Sequence, residues 1–299
     1  MKNICLSIIV PCYNYAYNLE QLCDALVLEY GSNAEIIFVN DGSTDNTANI
    51  CAKLEKKHTC FRTKNQENQG LSATRRNGQL LAKTEWIYYI DADDLPAEGS
   101  GKKIIDLIKG NEPEEDIFIG GYVSVSEEGK EKLRLNRQGS WHSASDWIKA
   151  YWNKELSIVN GGNLMRRRIF KGVDWDGRFR NVEDILFYSH CLAKYKARVL
   201  DFPICKVNHH PGSLRHDVDG AANLINLFVD TLFTKGSLPE ELYPMKRNFH
   251  AMRHLSASRL YLMQGDKVQG RAQFWKAVKT APRMFFKLAY LKKYIKSFL

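Results

Sequence analysis

The chain has 299 residues, of which 44% are hydrophobic and 26% are charged, with 20 glycines and eight prolines. This composition excludes collagen-like, low-complexity and disordered chains, and the length suits one large α/β domain with an appendage, or two smaller domains. No run reaches the roughly 18 apolar residues that a membrane span needs. The apolar start, MKNICLSIIV, lacks a small-residue cleavage site, so it is predicted to be a buried strand and not a signal peptide.

The net charge of +9 is unevenly distributed along the chain. Residues 265–299 contain nine Lys or Arg and one Asp, so this tail carries +8 and the rest of the chain is nearly neutral. The distribution therefore argues against a nucleic-acid partner. The seven Cys are an odd number and contain neither a CxxC pair nor a Cys/His spacing typical of zinc sites. Reduced thiols in a cytoplasmic protein are expected.

The first hundred residues alternate strand and helix patterns, which predicts a parallel sheet with crossover helices. Continuous apolar runs indicate strands that are buried on both faces. The predicted strands are Leu6–Val10, Glu35–Val39, a short strand near Phe61, and Trp86–Ile90. The predicted helices are Asn18–Glu29, one that Thr44 or Asp45 caps and that runs to about Glu55, and Ser72–Ala82.

After Pro96 the periodicity weakens, and fewer elements are predicted. Two strands around a Gly-containing turn suggest a hairpin, and helical patterns dominate from Gly220 onward, with breaks near Gly236–Pro239, Gly265 and Pro282. The elements predicted in between are the hairpin strands Ile117–Val125 and Lys132–Leu135, the helices Ser145–Tyr151 and Glu183–Lys194, and the strand Arg198–Val207.

Polar side chains directly follow three of the predicted parallel strands. Tyr13 and Asn14 follow the first strand, Asp41 the second, and Asp91 and Asp93 the fourth. Because ligands of open α/β sheets bind outside the carboxyl ends of the strands, we expect these residues to share one site. Carboxylates two residues apart can converge on a hard cation such as Mg²⁺, although a polar turn that caps the next helix is the alternative.

Five segments in this order resemble the family 2 glycosyltransferases, which have the GT-A fold. The matching segments are Ser7–Asn14 (SIIVPCYN), Val39–Asp45 (VNDGSTD), Asn68–Gly70 with Arg76–Gly78, Tyr89–Asp94 (YIDADD) and Val182–Asp184 (VED). The resemblance implies an α/β protein with a mostly parallel open sheet flanked by helices and a helical C-terminal appendage. The implied division is a catalytic domain over 1–215, with a nucleotide-binding half (1–96) and an acceptor-binding half (97–215), and a helical region over 216–299.

The resemblance also implies which residues bind the donor nucleotide and a cofactor, Mn²⁺ or Mg²⁺. Asp41 would accept a hydrogen bond from the base, although Asn40 replaces the first acid of the common Asp-Asp-Gly-Ser pattern. Asp91 would hold the ribose or a metal-bound water, and Asp93 would ligate the cation. The remaining implied donor contacts are Pro11, Tyr13 and Asn14 in the nucleotide pocket, and Arg76 in the segment that closes over the nucleotide.

For the acceptor side the resemblance implies that Asp184 is the general base and that Glu183 contacts the acceptor. A single carboxylate base fits one in-line displacement with inversion at the anomeric carbon; the alternative is that both acids only stabilise a helix N-terminus. Trp141 is expected to stack on the acceptor, and packing in the core is the alternative. His209 and Arg215 are expected to contact the diphosphate, unless their segment is only a structural turn.

The tail 274–299 mixes basic, aromatic and aliphatic residues, and Pro282 divides it into two predicted helices. Basic amphipathic helices bind the headgroup region of anionic membranes, so the tail predicts a peripheral location on the inner face of the cell membrane. A tail that packs on the catalytic domain is the alternative.

These features together predict an inverting, metal-dependent enzyme that transfers a sugar, from UDP by preference, to a glycan or lipid-linked glycan of a bacterial surface polysaccharide or lipopolysaccharide. A nucleotidyltransferase would have a Gly-rich basic loop where this chain has Pro11–Asn14. A non-catalytic nucleotide- or nucleic-acid-binding protein that uses the basic tail is the other alternative, and the intact acidic pairs argue against it. No G-x-G-x-x-G follows the first strand, which argues against a dinucleotide-dependent oxidoreductase.

Overall fold

The computed structural model describes residues 4–110, 113–179, 182–209 and 218–298. Within these ranges the chain forms two compact units. The first unit comes from Met1–Gly177 and Lys194–Pro211, and the second from Arg178–Ala193 and Gly212–Leu299. The second unit thus includes Arg178–Ala193, a segment that lies inside the predicted catalytic domain. The functional division at residue 215 stays a prediction.

The described part of the first unit contains nine strands and five α-helices. The strands are β1 Leu6–Cys12, β2 Ala34–Asp41, β3 Phe61–Gln66, β4 Trp86–Tyr89, β5 Leu95–Pro96, β6 Ile117–Val125, β7 Glu131–Arg134, β8 Asn163–Arg166 and β9 Ala197–Asn208. The helices are α1 Leu19–Tyr30, α2 Thr47–Lys57, α3 Leu71–Leu81, α4 Ser100–Lys109 and α5 Ala144–Trp152.

All nine strands belong to one sheet, in the order β3-β2-β1-β4-β8-β6-β9-β5, with β7 paired to β6. The first four strands run parallel, so the carboxyl ends of β1, β2 and β4 lie at one edge. Strand β8 is antiparallel to both β4 and β6, and β6 is parallel to β9. The α/β fold class with a mostly parallel sheet flanked by helices is confirmed.

The core of this unit packs the continuous apolar faces of β1 and β2 against the helices. Every residue of both strands is buried, and α1 buries one face through Leu22, Cys23 and Leu26. On α3, Gly78 touches the sheet so closely that a Cβ there would lie 2.3 Å from Cγ2 of Ile9. A side chain at this position would push α3 away from the sheet.

Most predicted elements are confirmed to within a few residues, but helix α4 and two short strands were not predicted. The short strands β5 and β8 were not predicted, because neither has a local pattern; β8 is buried through its pairing with β4 and β6. Helix α2 begins at Thr47, and the side chain of the preceding Asn46 forms no capping hydrogen bond. Asp45, one of the two predicted caps, does so: its carboxylate accepts the backbone N–H groups of Thr47 (2.9 Å) and Ala16 (3.1 Å).

The second unit is helical throughout its described part, as predicted. Its helices are α6 Glu183–Lys194, which belongs to this unit up to Ala193, α7 Val218–Asn223, α8 Ile225–Leu232, α9 Lys246–Met263, α10 Lys267–Thr280 and α11 Leu288–Lys296. Phe274 of α10 stacks on Tyr294 of α11 with ring centroids 4.3 Å apart, so the tail helices share an aromatic core. None of the described helices is both long and apolar enough to cross a membrane.

Candidate active site

The carboxylate of Asp41, at the end of β2, fixes the loop that leads into α3. Its Oδ1 accepts hydrogen bonds from Nε2 of Gln66 and the backbone N–H of Gln69, both at 2.8 Å. Its Oδ2 accepts the backbone N–H of Gly70 at 2.9 Å. Both oxygens of this buried group therefore hold the segment that precedes α3. Contact of Asp41 with a base stays a prediction.

The loop after β1 is joined to the loop after β2 through Asn14, whose backbone is left-handed (φ +60°). Oδ1 of Asn14 accepts the backbone N–H of Thr44 at 2.8 Å, and its own N–H donates to Oγ of Ser43 at 2.9 Å. Beside it, Tyr13 is 45% exposed, whereas Pro11 is buried within β1. The predicted nucleotide pocket thus has one open aromatic residue on a well-anchored loop.

The two acids that follow β4 have different partners. Oδ1 of Asp91 lies 3.0 Å from Nη2 of Arg75, and Oδ2 of Asp93 accepts the hydroxyl of Tyr15 at 3.2 Å. Burial, with the charge of Asp93 in addition, raises the pKa of Tyr15 well above its usual value, so this hydroxyl stays a neutral donor. Both carboxylates are thus oriented by fixed donors and remain partly exposed.

The third acid of this run, Asp94, is buried and supports the backbone. Its Oδ1 accepts the backbone N–H of Asn208 in β9 at 3.0 Å, while Nδ2 of Asn208 donates to the carbonyl of Asp93 at 2.6 Å. On the other side, Nδ2 of Asn18 donates to the carbonyl of Ala92 at 2.6 Å. The strand end that carries Asp91 and Asp93 is therefore held from β9 and from the segment before α1.

Arg76 is the predicted donor contact of α3, but its neighbour Arg75 is the residue that contacts the acidic pair. Arg75 is fully buried, and its guanidinium lies 4.8 Å from the ring centroid of Trp175. The Arg76 side chain is 57% exposed and forms an ion pair with Asp174. Arg75 lies three residues before Gly78 and so shares the helix face that meets the sheet, but only the packing of Gly78 on Ile9 shows which face that is.

Asp91 and Asp93 are suited to a divalent cation on chemical grounds. Both offer only oxygen ligands, which Mg²⁺ and Mn²⁺ prefer, and they lie two residues apart at one strand end. The positive charge of Arg75 offsets part of the repulsion between them. When bound, such an ion would act as a Lewis acid on a diphosphate.

Residues 7–173, more than half of the chain, match the family model described as Glycosyl transferase family 2. The chain is a family 2 glycosyltransferase. Two curated relatives are similar to it: the glycosyltransferase GlyG of Streptococcus pneumoniae, 26% identical over 244 residues, and the minor teichoic acid biosynthesis protein GgaA of Bacillus subtilis, 26% identical over 198 residues. The alignment with GlyG covers 75% of this chain and 78% of GlyG. The alignment with GgaA covers 64% of this chain and 44% of GgaA.

Two solved structures share the fold of this glycosyltransferase. S. aureus TarS 1–349 in complex with UDP-GlcNAc superposes with a TM-score of 0.69 at 15% identity and covers 99% of this chain and 89% of that one. The mannosyltransferase PcManGT of Pyrobaculum calidifontis, in complex with GDP-Man and Mn²⁺, superposes with a TM-score of 0.60 at 15% identity. The match covers 99% of this chain and 85% of PcManGT. These likenesses support the GT-A fold of the enzyme.

Trp141 and His209, the predicted acceptor and phosphate contacts, lie in different segments of the first unit. Trp141 is half-buried and packs edge-on against Trp147, with ring centroids 4.9 Å apart. Nε2 of His209 lies 2.9 Å from Oγ of Ser124, and its backbone N–H extends the pairing between β6 and β9. Arg215 lies outside the described residues. The functions of all three stay predictions.

Glu183 and Asp184 occupy the first turn of α6, in the second unit of the enzyme. Glu183 is buried, and Oδ1 of Asp184 accepts the backbone N–H of Ile185 at 2.8 Å. Acids at this end of a helix are stabilised by its unpaired N–H groups. A partly exposed carboxylate held in this way can also accept a proton, so the geometry of α6 is compatible with both interpretations.

Proposed function

We propose that this glycosyltransferase moves a sugar from a nucleotide-diphosphate donor, UDP by preference, to a glycan acceptor with inversion at the anomeric carbon. The observation that carries this proposal is the anchoring of Asp41, Asp91 and Asp93 at the carboxyl ends of β2 and β4, the parallel strands on either side of β1. Ligands of such sheets bind at this edge. The TarS complex, which contains UDP-GlcNAc in the same fold, further supports a UDP-sugar donor.

In this proposal the donor nucleotide lies along the loops after β1 and β2. The Tyr13 ring stacks on the base, Asp41 accepts a base N–H, and Pro11 and Asn14 shape the pocket floor. Arg76 closes over the nucleotide, and His209 and Arg215 contact the diphosphate. A pyrimidine ring N–H suits an acidic acceptor such as Asp41, which favours uracil.

Asp93, with Asp91 beside it, is proposed to hold Mn²⁺ or Mg²⁺ when the donor is bound. Arg75 keeps the Asp91 carboxylate in place and lowers the net charge of the pair. The neutral hydroxyl of Tyr15 holds the Asp93 carboxylate in place through a hydrogen bond. The PcManGT complex, which contains Mn²⁺ in the same fold, supports a divalent cofactor.

Asp184 is proposed to be the catalytic base, which takes the proton of the acceptor hydroxyl at Oδ. Glu183 and Trp141 are proposed to bind the acceptor. A base contributes by removing this proton as the new bond forms, so that a single displacement inverts the anomeric carbon. This assignment rests on the Glu-Asp motif alone, since Asp184 follows the segment matched by the family model.

The proposed acceptor is a bacterial cell-surface glycan, free or lipid-linked, and the proposed location is the inner face of the cytoplasmic membrane. The teichoic acid assignment of the relative GgaA supports a surface polymer. The exposed apolar side chains of the C-terminal helices support the membrane surface: Phe286, Leu288 and Phe298 are 60% to 76% exposed beside lysines that are themselves exposed. Such a face suits the headgroup region of an anionic bilayer.

The donor proposal is tested by thermal unfolding of the protein with UDP, dTDP, GDP or CMP, each with and without Mn²⁺. A ligand at 100 times its dissociation constant stabilises by about 2.7 kcal/mol, which raises the midpoint by about 5–10 °C for a chain of this size. We expect this shift with UDP and Mn²⁺ together. It should vanish in Asp93→Asn and persist in Asp106→Asn, which changes an exposed acid of α4. An unchanged shift in Asp93→Asn contradicts the metal assignment.

A further inference from the structure

Two neighbouring side chains of α1, Cys23 and Asp24, meet the distant His58 at the end of α2. Sγ of Cys23, a carboxylate oxygen of Asp24 and a ring nitrogen of His58 all lie within 4.8 Å of one another. Cys23 is buried in the core, His58 is half-buried, and Asp24 is exposed. We propose that this cluster is a structural Zn²⁺ site, separate from the acids that follow β4.

The donor atoms favour zinc over the harder cations. Zinc is commonly bound by Cys, His and Asp side chains in a tetrahedral arrangement, whereas Mg²⁺ and Mn²⁺ prefer carboxylate and carbonyl oxygens. With the usual bond lengths, ligand atoms around a tetrahedral zinc lie about 3.5 Å apart. The three atoms, which lie within 4.8 Å of one another, would have to approach by about 1 Å to reach that spacing.

A second observation on His58 points to a ligand in the same place. Its Nε2 is buried, and within the described ranges no side chain or backbone group forms a hydrogen bond with it. A buried polar atom without a partner destabilises the folded state. A zinc ion bound through Nε2 would give this atom a partner and remove the destabilisation. Because Asp24 is exposed, the ion can reach the cluster from solvent.

The position of Cys23 suits a metal-bound thiolate better than a free one. Its side chain is fully buried in the apolar core, where an uncompensated thiolate is unfavourable. A bound cation would compensate that charge.

The ion would tie together the two helices that support the donor loops. Helix α1 follows the loop that carries Tyr13 and Asn14, and α2 follows the loop after Asp41. His58 precedes β3 and so lies at the amino ends of the strands, whereas the donor acids follow the carboxyl ends. The proposed zinc ion thus joins α1 to the end of α2 and takes no part in sugar transfer.

The test is a titration of the chelated, full-length Asp93→Asn protein with Co²⁺ and then Zn²⁺, so that the donor acids do not contribute. Ligation by a thiolate gives Co²⁺ a sulfur-to-metal charge-transfer band, which oxygen ligands cannot produce. Variants Cys23→Ser, Asp24→Asn and His58→Gln are compared with Cys51→Ala, which removes a buried thiol of α2 outside the cluster.

We expect one equivalent of Co²⁺ with the charge-transfer band, and a zinc-dependent rise of the unfolding midpoint by about 5–10 °C at saturating metal. Both should persist in Cys51→Ala and be lost or strongly reduced in the three cluster variants. Asp24→Asn is exposed and isosteric, so it keeps the test valid if Cys23→Ser folds poorly. Absence of the band, or a zinc shift that His58→Gln and Asp24→Asn leave intact, overturns the proposal.

Discussion

The two acidic pairs of this glycosyltransferase lie in different units and are held in different ways. Asp91 and Asp93 follow a buried strand, and side chains from α3 and from the segment before α1 orient them. Glu183 and Asp184 begin a helix, and the backbone of that helix holds Asp184. The first pair is thus reached by side chains from distant parts of the chain, whereas the hydrogen bond to Ile185 that orients Asp184 is local.

Because the two pairs are held differently, they are suited to different functions. A pair fixed by a buried Arg and a neutral Tyr hydroxyl keeps its charge and position, which suits the binding of a cation. A carboxylate in the first turn of a helix keeps a partly exposed oxygen that can exchange a proton. Substitutions in the two units should therefore separate donor binding from turnover.

The largest effect is expected from Asp184→Asn, which removes the proposed base and keeps the shape of the side chain. We expect kcat to fall about 100- to 10,000-fold while the dissociation constant of the donor stays nearly unchanged. Single-turnover transfer and nucleotide-dependent thermal shifts measure the two quantities separately. Asp230→Asn, which changes an exposed acid of α8 in the same unit, is the control. Loss of donor affinity in Asp184→Asn would place this residue in the donor site.

The second comparison concerns the charged tail of the helical unit. Replacing four exposed lysines, Lys287, Lys292, Lys293 and Lys296, by Gln should weaken partitioning onto anionic vesicles by about 4 kcal/mol, roughly a thousandfold. Vesicle co-sedimentation at two salt concentrations measures the effect. A matched variant that replaces four exposed lysines of the first unit should bind as wild type: Lys53, Lys56, Lys130 and Lys132. Equal loss in both variants contradicts a specific membrane face.

A third prediction uses the adjacent arginines of α3 as a matched pair. Arg75→Met removes a fully buried partner of Asp91 and should lower the free energy of unfolding by about 3 kcal/mol. Arg76→Met breaks an exposed pair with Asp174 and should change it by less than about 1 kcal/mol. Urea unfolding followed by circular dichroism compares the two. Similar losses in both variants would mean that burial of Arg75 does not support the acidic pair.

The smallest effect is expected from the buried His254 of α9, whose Nδ1 lies 2.7 Å from Oε1 of Gln273. Burial lowers its pKa from the ordinary value of 6.5, so the unfolded chain binds the proton more readily and stability decreases as pH falls below about 6.5. His254→Gln should flatten the pH dependence of the unfolding midpoint between about pH 5 and 7. The exposed His142→Gln is the control. An equally steep profile in His254→Gln would assign the dependence to other groups.

Local patterns predicted much of the first unit because its strands and helices bury complete apolar faces. The run Leu6–Val10 and the helical spacing of Leu19, Leu22 and Leu26 are determined by nearest neighbours in the chain. Strand β8 has no such pattern, because its burial comes from pairing with β4 and β6. A strand of this kind cannot be predicted from its own sequence, because its burial depends on the strands that pair with it.

The same distinction applies to the site. The family, the strand-end acids and the basic tail can be predicted from the sequence, because each rests on short runs of residues close together in the chain. The contact of Asp91 with Arg75, and not with Arg76, is seen only in the structure, since it depends on which face of α3 meets the sheet. The tertiary structure also brings Cys23 to His58, although their spacing matches no zinc pattern. Contacts of this kind arise from the packing of one element on another, which no local pattern of residues encodes.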